Sequence, residues 1–397
     1  AGNGDHQGFG RVGGDGVMAK LGDIATYING YAFKPQDWSD EGIPIIRIQD
    51  LTGNSYQANR YNGEYVSKYE VNDGDVLISW SASLGVYIWH GEKAVLNQHI
   101  FKVVFDKERI SKDFFVHQVG LILENAASDA HGATMKHLTK PIFDALPFYL
   151  PPYEKQCEIA EVLDKVTSLI SLRKQQLAKL DELVKARFVE MFGDPINNPM
   201  KWIISKIEDI TAQEKNALKA GPFGSALKKE FYVRSGYKIY GQEQVICGDA
   251  SFGDYYIDEE KYKELKNCAV QAGDILISLV GTYGKTLIMP DNYEAGIINP
   301  RLMKITLNKN KVTPIYFKYY FESNALKASM DANTHGGTMG ILNLGIIRQM
   351  KIQVPPLSLQ NQFAAFVERV DQQKQTVQQS LEKLELMKKA LMQEYFG

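Results

Sequence analysis

The sequence predicts an α+β protein built from two tandem copies of one unit, each copy a compact globular domain followed by a long helix. Three observations lead to this prediction. Short segments recur at about half the chain length of 397 residues. Short β-type runs separated by Gly, Asn and Asp clusters fill the first part of each copy, which is typical of a mixed globular domain. The last part of each copy carries apolar residues at alternating spacings of three and four, which is typical of a helix that packs against another helix.

The internal repeat can be followed along both copies. The matching pairs are "KLGDI" from Lys20 with "KIEDI" from Lys206, "GDVLIS" from Gly74 with "GDILIS" from Gly273, "LNQHIFKV" from Leu96 with "INPRLMKI" from Ile298, "HGATM" from His131 with "HGGTM" from His335, and "EMFG" ending at Gly193 with "EYFG" ending at Gly397. From His131 onward the spacing between matched residues is constant, whereas earlier segments differ by insertions. A period of half the chain indicates two copies of a domain rather than a solenoid of short repeats.

These patterns divide the chain into five segments. They are a vector-derived or disordered leader (1–17), a first globular domain (18–152), a first long helix (153–193), a second globular domain (194–356) and a second long helix (357–397). The leader contains a formal G-x-G-x-x-G from Gly8, but no strand precedes it as a dinucleotide site requires. We therefore expect the natural chain to start at Met18. Within the domains, helical patterns lie near 111–127 and 313–331, and the runs "IPIIRIQ" and "YKIYGQ" are of the β type.

A proline pair precedes each long helix, at Pro151 and again at Pro355. Proline disfavours a helical residue before it and cannot lie inside a helix, so each pair separates a domain from the helix that follows. The apolar seams of the two helices comprise Leu163, Val166, Ile170, Leu177, Leu180, Val184, Val367, Val370, Val377, Leu381, Leu384 and Leu391. Such a seam could pack on a globular body. Two helices of equal length and register in one chain favour pairing with each other.

Bulk composition narrows the functional classes. Hydrophobic residues make up 44% of the chain, which is enough for real cores. A net charge of −2 does not exclude nucleic-acid binding, because the distribution of charge matters more than its sum. The three cysteines, Cys157, Cys247 and Cys268, form no C-x-x-C pair, so neither a zinc ribbon nor a disulfide scaffold is expected. This use of cysteine predicts a reduced, cytoplasmic protein, and because no run of eighteen apolar residues occurs, we expect no membrane span.

The sequence offers no set of residues for catalysis. The motifs of nucleic-acid amino-methyltransferases and of the Walker phosphate loop are absent. The segment 264–266 has the letters of a nuclease motif, but its charged surroundings are typical of a solvated helix. His131 and His335 recur in matched segments without a nucleophile that recurs with them. Asp75 and Asp274 precede apolar strands, where aspartate usually forms a turn. We therefore predict no catalytic site, no metal site and no bound cofactor.

The loops support a binding function better than the chain supports a catalytic one. Hydroxyls, amides, aromatic rings and lysines lie after the two GD-x-LIS segments and in the early loops of each domain, and such groups contact the grooves and phosphates of nucleic acids. The candidate contacts are Tyr27, Asn29, Tyr31, Lys34, Trp80, Ser81, Ser83, Phe223, Ser225, Lys228, Lys229, Thr282, Tyr283 and Lys285. Ordinary loop composition would account for any one of them. The loops as a group are the predicted binding surface.

With these features in place, the chain resembles the specificity subunits of type I restriction–modification systems, from about Met18 to Gly397. The resemblance is carried by the duplicated order of domain and helix, by "GDVLIS" and "GDILIS", by "GPFGSAL" from Gly221, and by "PPYEKQ" and "PPLSLQ". It implies two target-recognition domains, each of which reads one half of a bipartite, asymmetric site on double-stranded DNA. It also implies that the helices pair as an antiparallel coiled coil that holds the domains apart.

The resemblance further implies a set of partners. Two methyltransferase subunits that carry S-adenosylmethionine would dock on the chain, and restriction subunits with ATP-dependent translocase activity would join them. S-adenosylmethionine, ATP and Mg are then expected in the partner subunits, and this chain would be a non-catalytic DNA-binding subunit without a cofactor of its own. Because the loops of the two domains differ in length and sequence, the two half-sites are expected to differ.

Two other functions stay open on the sequence. The chain could be a structural adaptor whose coiled coil oligomerises and whose two heads bind protein. It could also be a recognition module related to a single-chain restriction–methylation enzyme. Neither gives a reason for two matched domains with divergent loops. The DNA sequence that is recognised cannot be deduced, because base readout depends on loop geometry.

Overall fold

The computed structural model describes residues 16–53, 59–81, 83–129, 139–223, 225–333 and 342–397. The chain forms two compact units. The first unit comprises Ala1–Lys174 together with Gln379–Gly397, and the second unit comprises Gln175–Gln378. Each unit therefore contains one globular head, the beginning of the long helix that follows that head, and the end of the other long helix. We refer to residues 16–150 as the first head and to residues 203–354 as the second head.

The first head contains ten strands and four helices among its described residues. In chain order they are β1 (Val17–Lys20), α1 (Leu21–Ile24), β2 (Thr26–Asn29), β3 (Ile43–Ile46), α2 (Ile48–Leu51), β4 (Arg60–Tyr61), β5 (Glu70–Val71), β6 (Val76–Ser79), β7 (Gly85–Ile88), β8 (Ala94–Leu96), β9 (Ile100–Val104), α3 (Lys112–Asp129), α4 (Lys140–Asp144) and β10 (Pro147–Leu150). The first long helix, α5 (Tyr153–Phe192), follows. The strands form sheets in the orders β2-β9-β6-β7, β4-β3-β8-β5 and β1-β10.

The second head repeats this plan. Its elements are β11 (Ile203–Lys206), β12 (Leu218–Ala220), β13 (Tyr237–Tyr240), α6 (Gln242–Cys247), β14 (Tyr256–Ile257), α7 (Glu259–Glu264), β15 (Ile275–Ser278), β16 (Thr286–Ile288), β17 (Gly296–Ile298), β18 (Leu302–Ile305), α8 (Pro314–Phe321), α9 (Asn324–Asn333), α10 (Leu344–Gln349) and β19 (Lys351–Val354). The second long helix is α11 (Leu357–Phe396). The sheets run β12-β18-β15-β16, β14-β13-β17 and β11-β19, so the predicted α+β class with a duplicated unit is confirmed.

Three of the predicted elements are wrong in extent. Only the first four residues of each β-type run form a strand, and helices α2 and α6 follow directly. The chain turns there because the backbone N–H groups of Arg47 and Gly241 donate to the side chains of Asp50 (2.8 Å) and Gln244 (2.9 Å), which begins a helix. The helical pattern at 313–331 is interrupted between α8 and α9. Ser323 Oγ accepts from the N–H of Leu326 (3.3 Å) and begins the second of these helices.

Three segments singled out in the sequence lie outside the described residues. These are the glycine-rich segment at Gly8 and the matched histidine segments that begin at His131 and His335. Met18, the expected natural start, lies in β1 and pairs with Tyr149 of β10. The chain is therefore part of the folded head by this residue.

An aspartate–lysine pair recurs at the start of the central strand of each head, half-buried in the first head and buried in the second. Asp75 and Asp274 accept from backbone N–H groups of Asn72 (2.8 Å) and Gln271 (3.0 Å), which confirms the predicted turns. Each carboxylate also meets a lysine of the neighbouring strand. The distances are 2.7 Å between Asp75 and Lys102 and 3.1 Å between Asp274 and Lys304. Lysine in a central strand is tolerated here because its charge is paired inside the sheet.

A buried glutamine fixes the start of each long helix to its head. Gln156 accepts from the N–H of Ser111 (2.9 Å) and donates to the carbonyl of Pro151 (2.9 Å). Gln360 accepts from the N–H of Thr313 (2.8 Å) and donates to the carbonyl of Pro355 (2.8 Å). Each amide thereby joins the proline pair, the first helical turn and the segment before the helix of the head. The direction of each long helix is set at this point.

Within each unit the segments of the two long helices lie antiparallel. In the second unit, Asp181 bonds to Lys374 at 2.7 Å, and Phe188 lies against Phe363 with ring centroids 5.5 Å apart. Residue numbers therefore rise along one helix while they fall along the other. In the first unit, Lys174 bonds to Glu385 at 3.0 Å. The same unit packs the far end of α11, with Leu391 and Tyr395, against the cluster that contains Leu163. Every residue of the predicted seams is buried or half-buried.

We predict that Asp274→Ala lowers the free energy of unfolding by about 3–5 kcal/mol, because it leaves Lys304 buried without its partner. The side chains of Asp274 and Lys304 are 0% and 8% exposed. Asp75→Ala should cost less, because the side chains of Asp75 and Lys102 are 27% and 16% exposed. The exposed Asp291 provides the control, and Asp291→Ala should change stability by at most about 0.5 kcal/mol. Denaturant unfolding measures all three. Equal losses for Asp274→Ala and Asp291→Ala would contradict the structural role of the pair.

Candidate nucleic-acid interface

Three chain segments meet at one end of the four-stranded sheet in each head. In the first head, Asn29 at the end of β2 lies opposite Phe101, and Ser79 at the end of β6 lies opposite Ile100. The loops that leave β2 and β6 therefore flank the segment that enters β9. In the second head, β12 and β15 flank β18 in the same way. Loops that emerge from one end of a rigid sheet can present side chains at fixed positions.

A glycine allows the early loop of each head to cross this segment. A side chain on Gly30 would collide with the carbonyl oxygen of Asn97, and a side chain on Gly221 would collide with the carbonyl oxygen of Asn299. Both positions therefore require glycine because the two backbones approach too closely for a Cβ atom. The N–H of Gly30 donates to Ile100 (3.1 Å), and that of Gly221 donates to Leu302 (2.9 Å). The loops that carry many of the candidate contacts begin at these two crossings.

In the first head the crossing brings Asn29 and Trp80 together. The indole N–H of Trp80 donates to Asn29 Oδ1 at 3.1 Å, and its ring stacks on Phe101 with centroids 5.6 Å apart. The backbone N–H of Trp80 donates to the carbonyl of His99 (3.3 Å). Asn29 is exposed and Trp80 is half-buried. The pair offers an amide and a rigid aromatic edge at the end of the sheet.

The other surface candidates of the first head are Tyr31, Lys34 and Ser83. Tyr31 is 47% exposed, and its ring packs against those of Phe33 and Tyr69 with centroids 4.9 and 5.6 Å apart. Lys34 and Ser83 are exposed. Lys34 precedes a short helical turn, in which its backbone N–H donates to the side chain of Asp37 (2.7 Å). These residues could meet phosphates or base edges without any change of backbone.

Two candidates of the first head lie in its interior, which corrects their assignment as contacts. Tyr27 is only 3% exposed, and its hydroxyl donates to the carbonyl of Leu21 at 2.9 Å. Burial raises the pKa of Tyr27, and the nearby charge of Asp144 adds to the effect. Ser81 is 5% exposed, and its carbonyl accepts from the N–H of Ser83 (2.7 Å). Strand alternation explains Tyr27, since successive side chains of β2 point to opposite faces of the sheet.

The early loop of the second head presents an unusually exposed aromatic side chain. Phe223 is 90% exposed, although the preceding Pro222 is buried. The carbonyl of Phe223 accepts from the N–H of Ala226 (2.8 Å), which closes a turn. Ser225, Lys228 and Lys229 are also exposed. The loop therefore combines an apolar ring with two cations, a combination suited to stacking on bases and pairing with phosphates.

The candidate residues in the hairpin between β15 and β16 lie in two different environments. Thr282 is exposed. Tyr283 packs against the hydrophobic core of the second unit, where it is half-buried. Tyr283 and Lys285 line a cavity of about 390 Å³ together with Glu322 and with Lys185 of α5. Thr282 is thus the better-placed surface candidate, whereas Tyr283 and Lys285 lie beside the helical part of the unit.

A polar network that the sequence reasoning missed lies between the loops of the second head. Gln242 donates to Ser278 Oγ (2.7 Å) and lies 3.5 Å from the exposed guanidinium of Arg301. The side chain of Asn299 accepts from the N–H of Arg301 (2.9 Å). Arginine and glutamine are the side chains that read guanine and adenine through two hydrogen bonds. The sequence did contain a signal for this site. In the matched segments Arg301 stands where the first copy has His99, so the two copies carry chemically different side chains at this position.

Within the described ranges no cluster of three or more His, Cys, Asp and Glu side chains could hold a metal ion. The same part of the chain contains no helix that is long and apolar enough to cross a bilayer. Cys157 and Cys247 are exposed thiols, and Cys268 is buried, where burial raises its pKa. The functional side chains that lie near one another on the surface are those of the loops at the end of each four-stranded sheet.

Comparison with known proteins identifies relatives of the whole chain. A family model described as the type I restriction modification DNA specificity domain matches residues 15–182 and 199–386, one match for each copy of the repeat. The chain is 21% identical to the type I restriction enzyme EcoBI specificity subunit of Escherichia coli, over 89% of this chain and 79% of that protein. It is 22% identical to the type I restriction enzyme MjaVIII specificity subunit of Methanocaldococcus jannaschii, over 96% and 92% of the two chains. A chain from a solved structure of a type I R-M system has a TM-score of 0.58 at 15% identity and covers 96% of this chain and 97% of that one, which shows a shared fold.

Arg301→Ala is expected to weaken binding to duplex DNA that contains the recognised sequence by about 1–3 kcal/mol and to relax discrimination at one base position. Arg301→Lys should recover part of the affinity but not the discrimination, because lysine lacks the planar fork of the guanidinium. The matched control is Arg369→Ala, at an exposed position of α11. Fluorescence anisotropy with the recognised sequence and its single-base variants, in the native assembly, measures both effects. An Arg301→Ala variant that behaves like Arg369→Ala would contradict a role in base readout.

Proposed function

The chain belongs to the type I restriction–modification DNA specificity family, and from this premise we propose that each head reads one half of a bipartite, asymmetric site on double-stranded DNA. Its function is that of a specificity subunit, which recognises a DNA sequence for a restriction–modification complex. Members of this family are recognition subunits rather than enzymes. The family model matches both copies of the repeat, so a structural adaptor is no longer needed to explain the duplication.

The observation that carries the proposal is the contrast between a repeated framework and divergent loops. Both heads use a glycine crossing, an aspartate–lysine pair inside the sheet and the same strand order in the central sheet. At the end of that sheet, the first head offers Asn29, Trp80 and His99, and the second head offers Gln242, Phe223 and Arg301. One framework with two sets of side chains is suited to reading two different half-sites. A reader of a single symmetric site would need two similar sets.

The long helices are proposed to set the distance between the two half-sites. Each helix has 40 residues, which corresponds to about 60 Å at about 1.5 Å per residue. The buried glutamines at the helix starts fix the helices to the heads. A spacer of this kind determines which separation of two DNA half-sites can be bound without deforming the DNA.

Catalysis is proposed to reside in partner subunits. Two methyltransferase subunits would supply S-adenosylmethionine and methyl transfer, and restriction subunits with translocase activity would supply ATP hydrolysis and cleavage together with Mg. This chain would hold none of these cofactors. What supports the division of labour is the family to which the chain belongs and the loops, which offer groups for recognition rather than a nucleophile with its base.

Replacing the second head, from β11 to β19, with the second head of a relative is expected to change one half-site of the recognised sequence and leave the other unchanged. The reason is that the exchanged segment contains the loops of one head and none of the other. Both long helices stay as they are, so the separation of the half-sites should also be retained. Mapping of methylated positions in DNA from cells that carry the hybrid complex measures the result. A simultaneous change of both half-sites would show that the heads do not read independently.

The purified chain is expected to transfer no methyl group to DNA when it is incubated with S-adenosylmethionine. Addition of the methyltransferase subunit of the same system should produce methylation at the recognised site. Incorporation of labelled methyl groups measures both reactions, and the methyltransferase subunit alone serves as the control for its contribution. Methylation by the chain alone, at a level that does not depend on traces of the partner, would contradict the proposed division of labour.

A further inference from the structure

Phe223 is the most exposed large apolar side chain in the part of the chain that the structure describes. It is 90% exposed, whereas Ile203, which follows it in exposure, is 74% exposed. A phenylalanine ring gains free energy when it leaves water, so a ring held in solvent favours any partner that covers it. Single exposed apolar residues are common on protein surfaces. What sets Phe223 apart is the way in which its loop is held and the side chains that lie near it.

The loop that carries Phe223 is fixed on both sides of the ring. On the N-terminal side, a backbone hydrogen bond of 2.9 Å holds Gly221 at the crossing, and Pro222 is buried. On the C-terminal side, the N–H of Ala226 donates to the carbonyl of Phe223 (2.8 Å), and Leu227 is buried in a hydrophobic cluster of the second head. The ring is therefore presented from a short loop with two anchored ends. Such a group loses little conformational entropy when it is bound.

The ring and the arginine that is a candidate for base readout lie on the two chain segments of the same crossing. Gly221 passes the backbone of Asn299 so closely that a Cβ atom would not fit. Phe223 follows Gly221 by two residues, and Arg301 follows Asn299 by two residues. Arg301 is exposed, and its backbone N–H donates to Asn299 Oδ1 (2.9 Å). DNA whose base edges meet Arg301 therefore passes beside the loop that carries Phe223.

The charges next to the ring favour a nucleic acid as its partner. Lys228 and Lys229 continue the same loop and are exposed. The N–H of Phe231 donates to the carbonyl of Lys228 (3.0 Å), which begins a short helical turn and fixes the backbone of both lysines. The acid of this segment, Glu230, lies 3.5 Å from Lys228 and leaves Lys229 as a cation beside the loop. Lysines contact phosphates, and apolar rings held among such contacts insert between bases.

The first head carries an alanine at the equivalent place. Two residues after its crossing glycine, Gly30, the chain has Ala32. Phe33, the next residue, is 8% exposed, and the ring of Tyr31 packs against it with centroids 4.9 Å apart. The aromatic rings of this loop therefore pack on each other, and the side chain at the matched position is a single methyl group. The two heads differ in this feature although their frames are the same.

We propose that Phe223 is a wedge, which inserts between two neighbouring base pairs of the half-site read by the second head and kinks the DNA there. The inference rests on the proposed function, because it takes duplex DNA as the ligand of this head. An inserted apolar side chain unstacks one base step and bends the duplex by roughly 20–90°. Pyrimidine–purine steps unstack most easily. Phe223 therefore gives the second half-site a preference for such a step that no hydrogen bond to a base provides, and the first half-site lacks this preference.

The first measurement locates the unstacked step. The full chain with its partner subunits binds duplexes of the recognised sequence that carry the fluorescent base 2-aminopurine at one position at a time, and the fluorescence of this base rises where stacking is lost. Extrusion of a base by the methyltransferase also raises the signal, so the effect of the ring is the difference between the original chain and Phe223→Ala. We expect this difference in the second half-site alone. Phe223→Leu should retain part of the signal, because leucine also serves as a wedge. Phe252→Ala, which removes a ring that is 50% exposed in another loop of the second head, is the matched control and should behave like the original chain.

The second measurement separates a wedge from a simple surface contact. Phe223→Ala should weaken binding to the intact recognised duplex by about 5- to 150-fold, as the loss of one base–aromatic contact does. A break in one strand at the unstacked step makes the kink easier to form without changing any base. On this duplex the loss caused by Phe223→Ala should be several-fold smaller, whereas a simple contact would lose the same factor on both duplexes. Thermal unfolding of each variant shows that the folded structure is retained.

The inference is overturned if the fluorescence difference lies in the first half-site or is absent, or if the loss of affinity is equal on the intact and the broken duplex. It is also overturned if the Phe223→Ala complex binds DNA like the original but has lost a partner subunit, because the ring would then contact protein. If the original complex does not distinguish the recognised duplex from an unrelated one, the proposed function fails and this inference fails with it. Specific binding without unstacking would leave the proposed function intact and contradict the wedge alone.

Discussion

Each compact unit is completed by the far end of the helix that begins in the other unit, and the rest of the structure depends on this exchange. In the second unit, Phe192 at the end of α5 packs against Tyr316 with ring centroids 4.8 Å apart. In the first unit, Phe396 at the end of α11 packs against Phe114 at 5.4 Å. These are equivalent contacts in the two copies of the repeat. Because a glutamine fixes the start of each helix and an aromatic ring fixes its end, neither helix can change its length alone without disturbing a core.

Because both ends of each helix are fixed in a core, the differences between the two heads are confined to the loops. The frame of each head is held by the aspartate–lysine pairs, the glycine crossings at Gly30 and Gly221, and the two-stranded sheets. At the end of the central sheet, the same frame presents Trp80 beside Asn29 in one head and Arg301 beside Gln242 in the other. A change of side chains there leaves the packing of the units intact. The same frame can therefore carry a different set of recognition side chains.

The sequence predicted those features that depend on periodicity or on a repeated motif. Heptad spacing placed the helix seams, the proline pairs placed the starts of the helices, and duplication gave the fold class, because each rests on local backbone chemistry. The details of the recognition surface depend on three-dimensional proximity and were less accessible. Tyr27 was assigned to the surface although strand alternation directs it into the core, and Arg301 was overlooked because its contacts with Gln242 and Asn299 join distant segments.

The most direct test of the account is to lengthen both helices together. One heptad inserted at matched positions of α5 and α11 keeps the apolar seam in register and lengthens each helix by roughly 10 Å, at about 1.5 Å per residue. Since duplex DNA advances about 3.4 Å per base pair, mapping of methylated sites in cells that carry the variant complex should show the same half-sites separated by about 1–3 additional base pairs. The lower values allow for twisting of the DNA between the heads. An unchanged separation, or altered half-site sequences, would contradict the account, because the helices would then not be the spacer.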